Sequence, residues 1–259
     1  MGGEALGARA SVVWDVLRGV LAARAADTGR DRLDVIDAGG GTGGFAVPLA
    51  ALGHSVTVVD PSPDSLAAAQ RRAAEMDVRI SAIQGEAAGL DSVVGEAAAD
   101  LVICHSVLEY VDSPADALAA VARVLRPGGT VSVLAASVAA AILHRAVAGR
   151  LADARALLDR EVGQPGPGRG PGRGPGRGPG NPPAVPRYFT LPGLGALIEG
   201  AGLFPGAAHG VQIFADLVPS VLVDADPGAA EALRSLDAAA ATYPPLRDIA
   251  ARLHILGRR

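Results

Sequence analysis

The stretch that decides the fold runs from Leu33 to Asp60 and reads LDVIDAGGGTGGFAVPLAALGHSVTVVD. Two apolar segments, Leu33–Asp37 and Ser55–Asp60, flank a glycine-rich turn and a further apolar segment that ends near Leu52. Short apolar runs bounded by turn residues are typical of buried strands, and this order predicts a strand–helix–strand unit with parallel strands. The first predicted strand therefore ends directly at the glycine turn.

The same alternation of strand and helix continues along the chain. Seven strands are predicted, at Leu33–Asp37, Ser55–Asp60, Val78–Ile83, Asp100–Cys104, Thr130–Ala135, Val211–Ala215 and Arg252–Arg258. One helix is predicted from the glycine turn to Leu52. The other main helices are predicted at Ala5–Ala26, Pro63–Met76, Pro114–Leu125, Val138–Arg160, Leu191–Ala201 and Gly228–Ala241. Because right-handed crossovers place helices on both faces of a parallel sheet, this order predicts an α/β, Rossmann-like fold. The sheet is expected to be seven-stranded and mostly parallel, with an antiparallel last strand and a small cap after the fifth strand.

The 259 residues are long enough for one large hydrophobic core, so a single domain over residues 1–259 is predicted. Its expected parts are an N-terminal helix (1–29), a cofactor-binding core (30–136), a cap (137–205) containing a disordered Gly/Pro/Arg linker (163–183), and C-terminal strands and a helix (206–259).

The linker reads GQPGPGRGPGRGPGRGPGNPP, with glycine at every second residue from Gly166 to Gly180. A collagen triple helix requires glycine at every third residue, so a glycine period of two excludes a collagen-like structure. Two roles remain open for this proline-stiffened segment. It is either a plain spacer, or its arginines Arg169, Arg173 and Arg177 touch successive phosphates of a nucleic acid.

Composition limits the location and the partners. The formal net charge of -4 argues against a general nucleic-acid-binding surface, although a local basic patch is compatible with it. The single cysteine, Cys104, excludes an internal disulfide, and no leader pattern precedes the first helix, so a reducing cytoplasm is expected. No apolar run reaches the roughly 20 residues of a spanning helix, and no metal-ligand motif occurs; neither a membrane segment nor a metal site is predicted.

The glycine turn matches more than one kind of ligand site. Gly39, Gly41 and Gly44 satisfy G-x-G-x-x-G, and Asp60 follows about twenty residues on, as in dinucleotide-binding proteins. At the end of the second strand, Asp60 is placed to accept hydrogen bonds from a ribose diol. Asp37 separates the alternatives, because its carboxylate suits a ligand with ammonium and sulfonium cations and would repel a pyrophosphate. A glycine turn without any ligand is the structural alternative.

Several motifs resemble known methyltransferases. The acid–x–G–x–G–x–G pattern that begins at Asp37, together with DLVICHSVLEYV and LRPGGTVSV downstream, resembles class I S-adenosylmethionine-dependent methyltransferases over residues 30–136. LHRAVAG, VPRYFTLPGLGALIEGAG and GVQIFADLV further resemble the bacterial tRNA 5-carboxymethoxyuridine methyltransferases, which methylate a carboxylate on a wobble uridine. The resemblance implies S-adenosylmethionine as the cofactor and tRNA as a partner.

The resemblance also implies site residues. The cofactor contacts that it implies are Arg9, Asp37, Gly39, Gly40, Gly41, Asp60, Ala87, Ala88 and His105. Candidate substrate contacts beside the linker are His144, Arg145, Arg187 and Tyr188. One departure bears on the substrate: Gln212 and Leu217 stand where that family usually carries an arginine and an aromatic residue.

Methyl transfer from a sulfonium requires close approach, exclusion of water and an unprotonated acceptor atom. A carboxylate is already ionised at pH 7 and needs no base, whereas a hydroxyl needs one. His105 at the end of the fourth strand is the candidate catalytic base, with a cofactor contact alone as the alternative. Three functions follow: a tRNA carboxyl methyltransferase, a methyltransferase for a small metabolite, and a cofactor-binding module without catalysis.

Overall fold

The computed structural model describes residues 11–163, 187–224 and 226–259. Seven strands form one sheet in the order β3-β2-β1-β4-β5-β7-β6. Their bounds are β1 Asp34–Ala38, β2 Ser55–Asp60, β3 Ser81–Gln84, β4 Ala99–His105, β5 Leu125–Ala136, β6 Phe204–Val211 and β7 Arg252–Arg258.

Helices connect the strands and pack on the sheet. They are α1 Ser11–Thr28, α2 Ala46–Ala51, α3 Pro63–Glu75, α4 Leu90–Val94, α5 Pro114–Val124, α6 Val138–Val147, α7 Leu151–Gly163, α8 Leu191–Gly200, α9 Ser220–Asp224, α10 Ala229–Ala240 and α11 Pro244–Arg247, with a short 3₁₀ turn at Ala87–Gly89. Side chains cap four of the connecting helices. Ser62, Ser113, Ser137 and Thr190 each accept a hydrogen bond from a backbone N–H in the first turn.

Strand directions confirm the predicted fold class. β1 pairs in parallel with β2 and with β4, and β4 pairs in parallel with β5. β7 lies between β5 and β6 and runs antiparallel to both. The strand order reverses between β1 and β4, and in such sheets the ligand crevice lies outside the carboxyl ends of the strands at this point.

Both faces of the sheet are covered by helices. On one face Leu118 of α5 and Ile198 of α8 pack with Val133 of β5. On the other face Leu17 of α1 packs with Val35 of β1 and neighbouring strand residues. Central strands buried on both faces explain the continuous apolar runs in the sequence.

Ion pairs fasten α1 at the end of the sheet away from the glycine turn. The buried carboxylate of Asp100, at the start of β4, pairs with Arg24 at 3.1 Å, with Arg30 at 2.8 Å and with Arg126 at 2.9 Å. Its oxygens are satisfied by several donors, as a buried charge requires.

Two predicted elements were wrong. The sixth strand lies at Phe204–Val211 and not at Val211–Ala215, because Gln212 has a left-handed backbone with φ 59° and ends the strand. The true strand contains proline and glycine and is largely exposed at the sheet edge, so it carries little apolar signal. The single helix predicted at Val138–Arg160 is two helices, α6 and α7, separated at Gly149 with φ 75°.

Candidate active site

The glycine turn after β1 depends on left-handed backbone conformations. Gly39, Gly41 and Gly43 have φ values of 71°, 53° and 77°, which residues with a side chain rarely adopt. The N–H of Gly39 donates to the carbonyl of Val59 at 2.7 Å, so the turn is tied to the end of β2. The backbone of the turn is thus held close to Asp60.

Asp37 lies beneath this turn and is almost fully buried. Its Oδ2 atom is buried and has no hydrogen-bond partner among the described residues. Burial raises the pKa of the Asp37 carboxyl to about 7; a backbone hydrogen bond from Ala46 acts against this, and the charge of Asp60 adds to it. Asp37 lies behind the turn and is not in the wall of either cavity, but its unpaired oxygen can accept a hydrogen bond from a ligand or pair with a cation of that ligand.

Asp60 is held by the backbone around it. Oδ2 accepts from the N–H of Gly41 and Oδ1 from the N–H of Ser62, both at 2.9 Å. Each carboxylate oxygen has a second lone pair, so the group is positioned and can still accept hydrogen bonds from a diol.

A first cavity of about 310 Å³ opens at this edge of the sheet. Four predicted cofactor residues line it: Gly39, Asp60, Ala87 and Ala88. The rest of its wall is formed by Pro61, Glu86, Ser106, Val107, Tyr110, Val111, Asp112, Ser113 and Asp116. We refer to it below as the first cavity.

His105 is part of a buried polar chain that crosses the sheet. Its Nε2 lies 2.8 Å from the hydroxyl of Ser132, which lies 2.8 Å from Nε2 of His254. Nδ1 of His254 in turn lies 3.1 Å from Nδ1 of His209. The His105 ring contacts Phe45 edge-on and is absent from the walls of both cavities described here, so its role as a base stays a prediction.

A second cavity of about 300 Å³ lies beside α6 and the start of β7. Three predicted substrate residues, His144, Arg145 and Tyr188, line it. Arg145 donates to the Tyr188 hydroxyl at 3.3 Å and lies 5.3 Å from the centre of its ring. The remaining polar residues of its wall are Ser137, Arg150, Gln212, Asp216 and Arg252. We refer to it as the second cavity.

The structure does not bring Arg187 to the second cavity wall. Arg187 is buried, and its guanidinium donates to the backbone carbonyls of Val111 and Asp112, the latter at 2.8 Å. It therefore supports the loop that borders the first cavity. Arg9, a predicted cofactor contact, lies outside the described residues.

Arg252 connects the two cavities and was missed by sequence reasoning. It lines the second cavity, and its guanidinium donates to the hydroxyl of Ser106, which lines the first. The two residues are 146 positions apart in the sequence. Arg252 is the first residue of a C-terminal strand and belongs to no recognisable sequence motif. Only the fold brings them together.

Comparison with known proteins identifies the domain. Residues 36–133 match a family model described as a methyltransferase domain. The chain contains a methyltransferase domain. Over 147 residues it is 34% identical to the tRNA 5-carboxymethoxyuridine methyltransferase of Escherichia coli strain K12, a match that covers 54% of this chain and 53% of that protein. The chain thus spans about half the length of this curated relative.

Two further comparisons agree with the domain. Over 102 residues the chain is 37% identical to the ubiquinone biosynthesis O-methyltransferase of Methylocella silvestris, covering 38% of this chain and 37% of that one. The crystal structure of an S-adenosylmethionine-dependent methyltransferase from Methanosarcina mazei superimposes with a TM-score of 0.57 at 15% identity, covering 89% and 93% of the two chains. The predicted fold is thereby confirmed, and the match to the methyltransferase domain model extends over residues 36–133.

The residues of the methyltransferase domain fit this cofactor. The unpartnered oxygen of Asp37 suits an ammonium or sulfonium cation, and Asp60 suits a ribose diol.

None of the helices in the described part of the chain has both the length and the apolar character of a membrane span. Within the same part of the chain, no group of three His, Cys, Asp or Glu side chains is placed to hold a metal ion.

Proposed function

We propose that the chain is an S-adenosylmethionine-dependent methyltransferase that methylates a carboxylate on a tRNA wobble uridine. The observation that carries this proposal is the second cavity, whose wall includes Arg145, Arg150 and Arg252 against one acidic residue, Asp216. A cavity with an excess of guanidinium groups favours an anionic acceptor, because arginine pairs with carboxylates through two parallel hydrogen bonds.

Residues around the first cavity would hold the cofactor. Asp60 would accept from the ribose hydroxyls, and the backbone at Gly39 would pass close to the ligand. Asp37, once ionised, would offset the cationic charges. Bound S-adenosylmethionine supplies a methyl group on a positively charged sulfur. The chain's own task is then to orient the acceptor and keep water out.

A carboxylate acceptor places few chemical demands on the chain. The acceptor oxygen is already unprotonated at neutral pH, so no residue has to remove a proton. His105 is suited to a neutral role, because burial, and then the charges of His254 and Arg252, hold its pKa well below the usual range. Orientation by arginine side chains and exclusion of water therefore suffice for this reaction.

The tRNA part of the proposal is supported by the similarity to a protein named tRNA 5-carboxymethoxyuridine methyltransferase. A tRNA acceptor would place the protein in the cytoplasm, as its single, buried cysteine also suggests. The arginines of the linker (163–183) would add phosphate contacts on this proposal, and they lie outside the described residues.

A methyltransferase for a small metabolite is the second candidate. Gln212 lines the second cavity at the position where the tRNA-methylating family usually carries an arginine. The matched ubiquinone biosynthesis O-methyltransferases are named for a small-molecule pathway. A changed acceptor pocket on the same domain would account for both observations.

Two measurements test these proposals in order. Calorimetry on the purified chain should detect binding of S-adenosylmethionine, and binding of NAD instead would overturn the cofactor assignment. Nucleoside mass spectrometry of tRNA from cells that lack the protein should then show loss of a methylated carboxymethoxyuridine. Restoring the wild-type gene, but not an Asp60→Ala variant, should restore it. An unchanged nucleoside profile would reject the tRNA acceptor in favour of a metabolite.

A further inference from the structure

We propose that Arg252 is the residue that positions the acidic group of the acceptor at the junction of the two cavities, in place of an arginine at position 212. This inference rests on the proposed function, since it concerns how an anionic acceptor is held. It assigns a specificity-determining role to a residue that no motif in the sequence singles out.

The backbone places Arg252 beside Gln212. Arg252 is the first residue of β7 and pairs with Val211 of β6 and with Ala136 of β5. The N–H of Ala251 donates to the carbonyl of Gln212 at 3.3 Å. Both residues line the second cavity, so a guanidinium on either one would reach a ligand in that cavity.

The hydrogen bond to Ser106 fixes where the guanidinium lies. Ser106 directly follows β4 and lines the first cavity, where the cofactor is proposed to bind. A guanidinium has five N–H donors, and among the described residues the hydroxyl of Ser106 is the one acceptor of Arg252. The remaining donors are available to an acceptor carboxylate close to the first cavity.

Two residues beside Arg252 have a left-handed backbone. Four described residues other than glycine have a positive φ, and two of them are Ser106 at 56° and Gln212 at 59°. A left-handed backbone costs free energy for residues with a side chain, and it persists mainly where a site requires it. Gln212 lines the second cavity and Ser106 the first, the two cavities between which Arg252 lies.

The charge of Arg252 has no ion-pair partner within 4.0 Å among the described residues. Its charge acts on the buried acid Glu109, whose Oε1 already accepts from the N–H of Ala136 at 2.9 Å. Arg145 differs, because its guanidinium donates to the carbonyl of Ala141 and to Tyr188. Arg150 also lines the second cavity, but of the three arginines only Arg252 is hydrogen-bonded to a residue of the first cavity, so it is placed to hold an anion close to the cofactor.

The test uses the full chain loaded with S-adenosylhomocysteine and two nucleoside probes. The probes are 5-carboxymethoxyuridine and its uncharged analogue 5-methoxyuridine, and their affinities are measured by calorimetry. Four variants are compared with wild type: Arg252→Gln, Arg252→Lys, the relocated pair Gln212→Arg with Arg252→Gln, and Arg258→Gln. Arg258 ends the same strand with an exposed side chain and serves as the matched control.

We expect Arg252→Gln to weaken binding of 5-carboxymethoxyuridine about tenfold or more, as loss of a charge-assisted hydrogen bond implies. Binding of 5-methoxyuridine and of S-adenosylhomocysteine should change little. Arg252→Lys should be intermediate, and the relocated pair should recover much of the lost affinity, which a merely structural role for Arg252 would not allow. With tRNA from cells lacking the protein, Arg252→Gln should raise KM more than it lowers kcat.

Two outcomes separate the inference from the function on which it rests. If wild type binds the carboxylate probe and Arg252→Gln binds it with the same affinity, the role of Arg252 is wrong and the proposed function stands. Wild-type protein that binds S-adenosylhomocysteine but neither the carboxylate probe nor the tRNA would overturn the proposed function and the inference together.

Discussion

Gly40 lies directly against the carboxyl group of Asp37. A Cβ atom on Gly40 would stand 2.6 Å from Cγ of Asp37 and 2.7 Å from its Oδ2. Real Cβ atoms do not approach other atoms so closely, so the buried carboxyl group could remain in place only if the turn moved. This contact couples the conformation of the glycine turn to the acid that precedes it.

Replacing Gly40 with alanine should therefore damage the cofactor site. The added methyl group has to displace a buried side chain, which typically costs about 1–3 kcal/mol. We expect Gly40→Ala to lower the melting temperature and to weaken binding of S-adenosylmethionine, measured by thermal unfolding and calorimetry. Gly19→Ala in α1 is the matched control, because nothing lies within 4 Å of its added Cβ; it should be neutral or stabilising. Equal behaviour of the two variants would contradict this account of Gly40.

Asp37 should make stability and cofactor affinity depend on pH in opposite ways. Its pKa is about 7 in the folded chain and 3.8 when unperturbed, so the folded state binds more protons between these values. This group's contribution to the unfolding free energy therefore falls as pH rises from about 4 to 7. The cationic cofactor requires the ionised form, so its affinity should rise over the upper part of that window.

Asp37→Asn tests both effects without adding a charge. Urea unfolding of the cofactor-free protein should show the variant gaining stability relative to wild type as pH rises from 5 to 8. Calorimetry should show weaker cofactor binding whose pH dependence through pH 7 is lost. Asp31→Asn changes an exposed aspartate and should follow wild type in both measurements. A variant that tracks wild type at every pH would show that Asp37 does not titrate in this range.

Part of the wall of the first cavity, the proposed cofactor site, could be predicted from the sequence, because these residues follow directly on strand ends. Gly39 and Asp60 are placed by apolar runs and a turn that are local in the chain. The contact between Arg252 and Ser106 at the proposed acceptor site could not, since the two residues meet through strand pairing between distant segments. The sixth strand was misplaced for a related reason: at the sheet edge its residues are exposed, so burial leaves no apolar pattern.

Asp60 should contribute to cofactor binding through hydrogen bonds that its alanine variant cannot make. Asp60→Ala removes a possible ribose contact and leaves the N–H groups of Gly41 and Ser62 without their acceptor. The loss of cofactor affinity is expected to be on the order of 1–3 kcal/mol. Asp64→Ala, an exposed acid in the first turn of α3, is the control and should bind the cofactor like wild type. Unchanged affinity in Asp60→Ala would remove Asp60 from the cofactor site.

Arg187 should stabilise the loop that borders the first cavity and should not contact the acceptor directly. Arg187→Gln would leave the carbonyls of Val111 and Asp112 without their donor inside the protein. We expect a loss of stability of about 1–3 kcal/mol and weaker cofactor binding, measured by urea unfolding and calorimetry. Arg155→Gln, which breaks only an exposed pair with Asp159, should have little effect on either. If Arg187→Gln kept its stability and lost acceptor binding alone, the substrate contact implied by the family resemblance would be correct instead.

His254 should make the folded chain sensitive to acid. Burial, and then the charge of His209, lowers the pKa of His254 from 6.5 to about 3. Below pH 6.5 the unfolded chain gains a proton that the folded ring does not, so stability is lost as pH falls towards 3. The slope for one such group is about 1.4 kcal/mol per pH unit. His254→Leu removes one of the two ring partners of Ser132, which keeps His105, and removes the ring partner of His209. The variant should be less stable than wild type at pH 7.5, but it should lose less stability on acidification to pH 4.5. Urea unfolding at intervals of one pH unit measures both quantities, and parallel curves for the two proteins would mean that another group causes the acid sensitivity.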